Sequence, residues 1–449
     1  MLSILDREHT IAPPGYSRWL VPPAAIAVQM CIGEIYGFSV FNLPLSRAIG
    51  ITKQAEGDWS VPTIVLCTYS LGLIILGLSA AFFGKWVEAH GPRKTMFASA
   101  CLFCGGLVIS SYGVSTHSLV LLTLGYGLVG GIGLGLGYIA PVSTLVKWFP
   151  DRPGMATGMA IMGFGSGAMV GGPLGVVLME RFRTSASVGV SQTFLVMAGL
   201  YFVIMNFGAL IVRVPAQGWK PEGFVPATQA KKLVTTAHVA VDVAWKTPQF
   251  WLLWMVLCTN VTAGIGVLAQ ASPMAQDMFG VSAAVACGFV GFLSIFNMAG
   301  RFVWSSFSDV IGRKGAFCVY FILGCSLYLL IPYTQRINSV ALFVAVACVI
   351  ISMYGGGFAT TPAYLRDIFG TMQVGAIHGR VITSWSMAAV LGPQLVTNLS
   401  AYQKAHGVPK VEAYNTTMYL MAGILLVGLV CNLLVTAVDT KHHHDGAGA

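Results

Sequence analysis

The chain has 449 residues, of which 56% are hydrophobic and only 9% are charged. A soluble globular protein carries about a quarter charged residues, so this composition excludes a soluble enzyme or binding domain of ordinary make-up. The formal net charge of +9 does not indicate a nucleic-acid surface, because the Lys and Arg residues lie mostly in short segments between apolar stretches.

Apolar stretches of about 20 residues recur along the whole chain, and each is long enough to cross the roughly 30 Å hydrocarbon core of a bilayer. We therefore predict an all-α membrane protein. The twelve predicted transmembrane helices lie at residues 20–45, 60–83, 95–115, 118–141, 154–179, 191–213, 249–272, 283–305, 315–333, 338–361, 379–399 and 415–437. The first is too long for a cleaved signal peptide, and polar residues follow it without a small-residue cleavage site.

The basic residues predict the orientation of these helices. With the N-terminus in the cytoplasm, seventeen Lys and Arg residues fall on the cytoplasmic side and seven on the outer side, while Arg301 lies inside the membrane. By the positive-inside rule, both termini are expected to be cytoplasmic. The lipid bilayer is thus one partner, and its anionic headgroups are the natural counterparts of the basic loops.

One charged turn occurs twice in the chain. "GKWVEAHGPRK" follows the second span and "SSFSDVIGRK" follows the eighth. In each copy an acid, Glu88 or Asp309, precedes a glycine by three residues, and basic residues that include Arg93 or Arg313 come next. The two acids are 221 residues apart, which is about half of the chain. The repeat indicates two related halves with six spans each.

The predicted domains follow from this repeat. Residues 1–213 form an N-terminal six-helix bundle, 214–248 a cytoplasmic linker, 249–437 a C-terminal six-helix bundle and 438–449 a cytoplasmic tail. The linker is the one long polar segment, rich in Gly, Pro and Lys. Two related halves with a site between them near the middle of the membrane are typical of secondary transporters.

The two acid–x–x–Gly–basic turns resemble the gating loops of the major facilitator superfamily, and "GAMVGGPLG" in the fifth span resembles the Gly–Pro motif of its antiporters. "GLGLGYIAPVSTLVKWFPDRPGMATGMAIMGFGSGA", "TPQFWLLW" and Arg301 are similar to the oxalate–formate antiporter family, and the same arginine also occurs in monocarboxylate transporters. The resemblance implies a major facilitator fold and alternating access. It also implies a cytoplasmic gate formed by the turns that contain Glu88, Arg93, Asp309 and Arg313.

Arg301 is the first candidate for substrate binding. It lies eight residues, about 12 Å along a helix, before Asp309, and therefore well inside the membrane. A charge there costs about 2.5–3.5 kcal/mol on insertion scales and needs a compensating partner. The guanidinium is a planar fork that fits a carboxylate with two parallel hydrogen bonds, so we predict a carboxylate receptor. The alternative is a structural arginine that bonds backbone carbonyls or a buried acid.

Glu34 is the other charged residue within a span. It lies 16 residues, about 24 Å along a helix, beyond Arg18, which places it in the outer half of the first span, above Arg301. A carboxyl group in poor solvent can carry a proton, so Glu34 is a candidate proton site or outer gate. The alternative is a hydrogen-bonded residue that faces a neighbouring helix. Glu34 and Tyr36 point about 160° apart on a helix, so only one is expected to face a cavity.

Four further polar residues are candidates for substrate binding. The family resemblance implies that Tyr36 and Tyr138 line the anion site. The Tyr354 hydroxyl is placed to donate to an anion, and Asn297 lies one turn before Arg301, where it is placed to orient the guanidinium. For each of them, packing or hydrogen bonding between helices is the alternative.

The eleventh span departs from the family pattern. Oxalate-exchanging members carry a lysine in a Tyr-Thr-Ala-Lys-like stretch, whereas this chain reads Ile-Thr-Ser-Trp and ends at Trp385. His378 and Arg380 lie nearby, but toward the cytoplasm. The resemblance implies that Trp385, at the position of that lysine, lies in the substrate site. One arginine suits one carboxylate better than a dianion, so we expect a preference for monocarboxylates.

We therefore predict a transporter of small organic carboxylates, of the formate, lactate, pyruvate or oxalate class, that works as an anion exchanger or a proton symporter. A carboxylate sensor on a transporter fold and an anion channel are the alternatives. The sequence contains no catalytic constellation, so we do not expect an enzyme, and we expect no cofactor, metal site or nucleic-acid partner. The resemblance and the short loops favour a bacterial inner membrane. We expect a monomer, with a carboxylate anion and, for symport, protons as partners.

Overall fold

The computed structural model describes residues 2–223, 233–235, 237–409 and 412–443. Residues 224–232 and 236 of the predicted linker, and residues 444–449 of the predicted tail, lie outside the described residues. The described ranges are mainly helical, and their only β-type pairing is found in two isolated bridges, Ile11 with Val214 and Thr184 with Ser187.

Twelve long helices account for most of the described residues. They are α1 (Arg18–Gly37), α2 (Val61–His90), α3 (Pro92–Ser115), α4 (Leu119–Trp148), α5 (Pro153–Phe182), α6 (Val190–Ile211), α7 (Pro248–Phe279), α8 (Ala283–Ile311), α9 (Arg313–Arg336), α10 (Val340–Phe369), α11 (Thr383–Ala405) and α12 (Asn415–Leu434). Among the described residues, a stretch long and apolar enough to cross a membrane occurs in ten of these helices, all except α8 and α11. The helices α8 and α11 coincide with the eighth and eleventh predicted spans. The predicted all-α membrane fold is confirmed.

Shorter helices connect or extend the long ones. They are Leu2–Leu5, Arg7–Thr10, Ser39–Leu45, Val241–Ala244, Val374–Val381 and Thr440–His442. Within the long helices, α1 ends in a 3-10 turn, Gly33–Gly37, while α2 and α4 contain π-helical segments, Leu66–Ser70 and Thr123–Gly130. Such local changes of winding turn side chains out of the regular helical register and are frequent at functional sites.

The chain forms two compact units. Unit 1 comprises Met1–Pro150, Met159–Glu222 and His378–Ser386, and unit 2 comprises Asp151–Gly158, Gly223–Ile377 and Met387–Ala449. The first turns of α5 therefore belong to unit 2, and the first residues of α11 belong to unit 1. The domain limits drawn from the sequence stay a prediction.

Glycines allow the helices that carry the candidate residues to approach closely. In unit 1, a Cβ atom at Gly167 of α5 would lie 2.6 Å from the backbone nitrogen of Glu34 on α1. In unit 2, a Cβ atom at Gly355 of α10 would lie 2.7 Å from the Asn297 side-chain oxygen and 3.1 Å from Cγ of Arg301 on α8. Backbone approach of this kind is typical of packed membrane helices.

The repeated turns share a backbone conformation. Gly91 follows α2 and Gly312 follows α8, and both have a φ of 82°. This left-handed region disfavours residues with a side chain, so the glycine ends one helix and lets the next begin at the following residue. The acid three residues before each glycine consequently lies in the last turn of its helix.

Candidate functional site

Arg301 is fully buried in unit 2, with 0% of its surface exposed. Its Nε donates a hydrogen bond to the side-chain oxygen of Asn297, one turn earlier on α8, at 3.2 Å. The guanidinium carbon lies 5.3 Å from the centre of the Phe358 ring on α10, within the range of a cation–π contact. The contact between Arg301 and Asn297 is the one that the spacing predicts.

Tyr354 lies on α10, close to the same phenylalanine. The rings of Tyr354 and Phe358 are 5.3 Å apart and nearly perpendicular, at 88°. Tyr354 also lines a cavity within unit 2 together with Asn260, Tyr320 and Tyr328. Arg301, Asn297 and Tyr354 are thus gathered around the contact of α8 with α10, and Phe358 is a member of this group that the sequence pattern did not distinguish from a packing residue.

Four aromatic residues of unit 1 form a second group, which we call the aromatic cluster: Tyr36, Tyr138, Phe164 and Trp385. Trp385 lies 6.0 Å from Tyr36, 5.6 Å from Tyr138 and 5.4 Å from Phe164, measured between ring centres. Phe164 is also 5.1 Å from Tyr36 and 5.5 Å from Tyr138. Three of the four were candidates from the sequence, and the structure brings them together.

Two polar side chains adjoin the aromatic cluster. The Gln29 amide on α1 donates to the backbone oxygen of Tyr138 at 2.9 Å, which ties α1 to α4. The His378 ring lies 5.8 Å from the Tyr138 ring and is almost wholly buried. The sequence placed His378 nearby but assigned it no role, because its distance along the chain from Trp385 gave no indication of a shared neighbour.

Glu34 contacts residues outside the aromatic cluster. It lies in the 3-10 turn at the end of α1 and is 1% exposed. The Tyr126 hydroxyl, from the π-helical segment of α4, donates to one of its carboxylate oxygens at 2.9 Å. A Cβ atom at Gly171 on α5 would lie 2.7 Å from Cγ of Glu34 and 3.1 Å from the Tyr201 hydroxyl, so that hydroxyl is also close. Glu34 and Tyr36 thus face different neighbours.

Tyr126 and Tyr201 were missed by the sequence analysis. Both are ordinary tyrosines in apolar helices, 92 and 167 residues beyond Glu34, and only the folded packing of α1, α4 and α6 makes them neighbours. A possible signal was the run of glycines around Tyr126, which is unusual in a regular helix.

The turn after α2 holds parts of unit 1 together. Glu88 accepts from the ammonium group of Lys147 on α4 at 2.7 Å. The buried Arg93 donates to the backbone oxygens of Ile4, at 2.7 Å, and Leu210, at 3.2 Å. Arg93 therefore fastens the N-terminal segment and the end of α6 to the start of α3.

The turn after α8 makes different contacts. The Asp309 carboxylate accepts from the backbone nitrogens of Gly154, at 2.9 Å, and Met155, at 2.8 Å, in the first turn of α5. The first N–H groups of a helix lack intrahelical partners, and the helix dipole favours negative charge there. Arg313 forms ion pairs with both Asp309 and Asp367 within unit 2. The repeated sequence therefore supports two unlike networks.

The sequence model of the Major Facilitator Superfamily matches residues 24–393. The chain belongs to the Major Facilitator Superfamily. It is thus a multi-pass membrane transporter rather than an enzyme. Similar major facilitator proteins include the uncharacterized MFS-type transporter YhjX of Escherichia coli (strain K12), 28% identical over 85% of this chain and 88% of the relative. The oxalate:formate antiporter of Oxalobacter formigenes is 25% identical over 84% of this chain and 83% of the relative.

A further relative is apicoplast pyruvate carrier 1 of Toxoplasma gondii, which is 23% identical over 91% of this chain and 80% of the relative. Among solved structures, the transporter FucP in its outward conformation superposes with a TM-score of 0.64 at 12% identity, over 94% of this chain and 100% of that one. The proton:xylose symporter XylE gives 0.65 at 14% identity, over 93% and 95%. At such identities the likeness shows the fold, and it confirms the predicted major facilitator architecture.

Proposed function

We propose that this major facilitator is a secondary transporter of small organic carboxylates, with monocarboxylates such as formate, lactate or pyruvate as its leading substrates. The observation that carries the proposal is Arg301, which is fully buried in a membrane helix and oriented by Asn297. Two of the relatives, an oxalate:formate antiporter and a pyruvate carrier, are named for substrates of the same class.

A carboxylate matches the Arg301 guanidinium in both charge and shape. Asn297 accepts a hydrogen bond from Nε, and the Phe358 ring lies 5.3 Å from the guanidinium carbon. A carboxylate brings the opposite charge in a plane that two parallel N–H···O bonds match. Tyr354, and in the aromatic cluster Tyr36, Tyr138 and Trp385, are proposed to contact the substrate during transport. Their rings suit a small anion with an apolar end.

Protons are the proposed coupling ion, and Glu34 is the proposed proton site. One oxygen of this buried carboxyl group accepts from Tyr126, and the other has no hydrogen-bond partner within the described part of the chain. Intramembrane carboxyl groups in such surroundings mark proton relays in pumps and transporters. We therefore favour proton symport over pure exchange. Alternating access, a monomeric state, cytoplasmic termini and a bacterial inner membrane complete the proposal.

Transport in proteoliposomes tests this function. Purified protein is reconstituted, and uptake of labelled formate, lactate, pyruvate and oxalate is measured with and without a pH gradient and with and without internal substrate. Proton symport predicts that labelled substrate accumulates inside the vesicles when the pH is lower outside than inside. A sensor would bind carboxylates without moving labelled substrate across the bilayer. A channel would conduct current, and internal substrate would not stimulate its flux. Either result would contradict the proposal.

A further inference from the structure

A small cavity lies within unit 2, where α7, α9 and α10 meet. Asn260 and Gly264 of α7, Tyr328 of α9 and Tyr354 of α10 form part of its wall. The three side chains in this part of the wall are buried. The cavity offers about 10 Å³ to the centre of a water molecule, which is enough to hold one. The space therefore suits a ligand of about the size of water.

The wall of the cavity is polar but uncharged. Within the described part of the chain, its lining residues are Asn, Tyr, Gly, Ala, Ile, Met and Leu, none of which is ionised at neutral pH. A buried ion is costly unless an opposite charge compensates it, and this wall supplies none. The site therefore favours a small neutral ligand that forms hydrogen bonds.

The side-chain oxygen of Asn260 is an unsatisfied acceptor in this wall. Asn260 is 5% exposed, and its Oδ1 accepts no hydrogen bond from the described residues. Buried polar atoms of proteins are nearly always bonded, and ordered water often supplies the bond in protein interiors. The Asn260 oxygen therefore calls for a donor, and the cavity that it lines has room for one.

Tyr328 provides a second acceptor. Its hydroxyl donates to the backbone oxygen of Ala263, another lining residue, at 2.8 Å. The single proton of this hydroxyl is used in that bond, whereas its oxygen can still accept. Water has two O–H donors, so one molecule can satisfy both acceptors. The Tyr320 hydroxyl, which shares a hydrogen bond of 2.9 Å with Thr360, can donate to the water oxygen when Thr360 is the donor of that pair.

We propose that one resident water molecule occupies this cavity, donates to Asn260 Oδ1 and Tyr328 Oη, and supports Tyr354 from the side of α7. The water site stands on contacts within unit 2 alone. Its effect on transport rests on the proposed function, in which Tyr354 contacts the substrate. The ligand is therefore structural, and Asn260 is a positioning residue.

The support of Tyr354 follows from the close contact of α7 with α10. A Cβ atom at Gly264 would lie 2.6 Å from Cβ of Tyr354. A Cβ atom at Gly357, three residues further along α10, would lie 2.9 Å from Cγ of Asn260. Residues three apart share a face of a helix, so the Asn260 amide packs on the face of α10 that carries Tyr354. A water that fixes this amide thereby fixes the surroundings of the tyrosine.

Hydroxyl-radical footprinting of the full chain tests the water site. Ionising radiation generates radicals where water is present, so a buried side chain beside a bound water is oxidised although bulk solvent does not reach it. Met353 and Tyr328 line the cavity, Met418 and Tyr364 do not, and all four are at most 2% exposed. Mass spectrometry should find Met353 oxidised several-fold faster than Met418, and Tyr328 several-fold faster than Tyr364. Equal rates within both pairs overturn the proposal.

Two variants test the position of the water. Asn260→Leu removes the acceptor at similar size, so oxidation of Met353 should fall to the level of Met418. Gly324→Ala keeps the acceptor but adds a methyl group 2.9 Å from Leu425 Cδ1 and 3.8 Å from Met353 Cε, both in lining residues, and should displace the water even if the leucine variant folds poorly. Unchanged oxidation of Met353 in either folded variant overturns the assigned site.

A matched control and a conservative variant complete this test. Asn206→Leu makes the same replacement on α6 of unit 1 and should leave the oxidation of Met353 as in wild type. Asn260→Asp keeps the shape and an acceptor oxygen, so it should retain fast oxidation. Loss of oxidation in Asn260→Asp to the same extent as in Asn260→Leu would show that packing, and not a bound water, sets the rate.

Transport measures the support of Tyr354. For a labelled monocarboxylate that wild type takes up into proteoliposomes, Asn260→Leu should raise the concentration at half-maximal uptake several-fold, and Asn260→Asp should stay near wild type. Wild-type uptake in Asn260→Leu, together with lost oxidation of Met353, overturns the supporting role and leaves the water site standing. Absence of carboxylate uptake in wild type overturns the proposed function and the supporting role with it, whereas footprinting still decides the water site.

Discussion

The Nε of Arg301 donates to the Asn297 side-chain oxygen at 3.2 Å, one turn away on α8. This bond fixes one direction within the plane of the guanidinium, because the Nε–H bond lies in that plane together with both terminal nitrogens. A planar fork held in one orientation can recognise a carboxylate by direction as well as by charge.

Arg301→Lys should lower carboxylate uptake by about a hundredfold, since lysine keeps the charge but loses the planar fork and the bond from Nε, and charged hydrogen bonds contribute about 1.5–3 kcal/mol each. Uptake into proteoliposomes is the measurement. The exposed Arg336→Lys serves as the control, and its uptake should match wild type. Wild-type rates in Arg301→Lys would remove the basis for a carboxylate receptor.

Asn297→Asp should raise the substrate concentration at half-maximal uptake by at least about tenfold at neutral pH. The new carboxylate would pair with Arg301 and compete with the substrate, and a tenfold effect corresponds to only about 1.4 kcal/mol of such competition. Asn297→Ala, which removes the orienting bond without adding charge, should have a smaller effect. Equal effects of the two variants would mean that Asn297 acts by packing alone.

Glu34→Gln should abolish accumulation driven by a pH gradient while substrate exchange continues. Glutamine is a permanently neutral replacement, and exchange of one substrate for another requires no net change of protonation. Tyr126→Phe removes the hydrogen bond of 2.9 Å to the carboxylate and should weaken coupling without abolishing it. Accumulation that persists in Glu34→Gln would shift the proton site elsewhere or indicate pure exchange.

Trp385→Lys should increase the affinity for oxalate relative to formate. The new ammonium group would stand among the rings of the aromatic cluster and supply a permanent second cation for a dianion. A single buried charge left without its counter-ion is costly, which is why wild type should favour monocarboxylates at neutral pH. The ratio of the two affinities is measured because loss of the large ring should lower the overall rate. A wild-type protein that prefers oxalate at neutral pH would contradict the predicted preference for monocarboxylates.

The sequence by itself determined the membrane environment, the helices, their family and the candidate arginine. Apolar stretches of sufficient length can only cross the bilayer as structures that satisfy their own backbone, so in the described part of the chain the ten helices other than α8 and α11 follow from composition and length. The role of Gly91 and Gly312 could be predicted from the local sequence, because a residue with a left-handed backbone conformation is needed where one helix ends and the next begins. The hydrogen bond from Arg301 to Asn297 could likewise be predicted, because residues four apart lie on the same face of a helix.

Only the tertiary structure decided which distant residues meet. Phe164 and His378 next to Tyr138, and Tyr126 and Tyr201 next to Glu34, depend on how each helix is rotated and how closely its glycines let it approach its neighbours. The two copies of the charged turn also make contacts that their sequence does not predict. Glu88 pairs with Lys147, whereas Asp309 accepts from the first turn of α5, because the acid's partners are set by what packs against the turn and not by the turn itself.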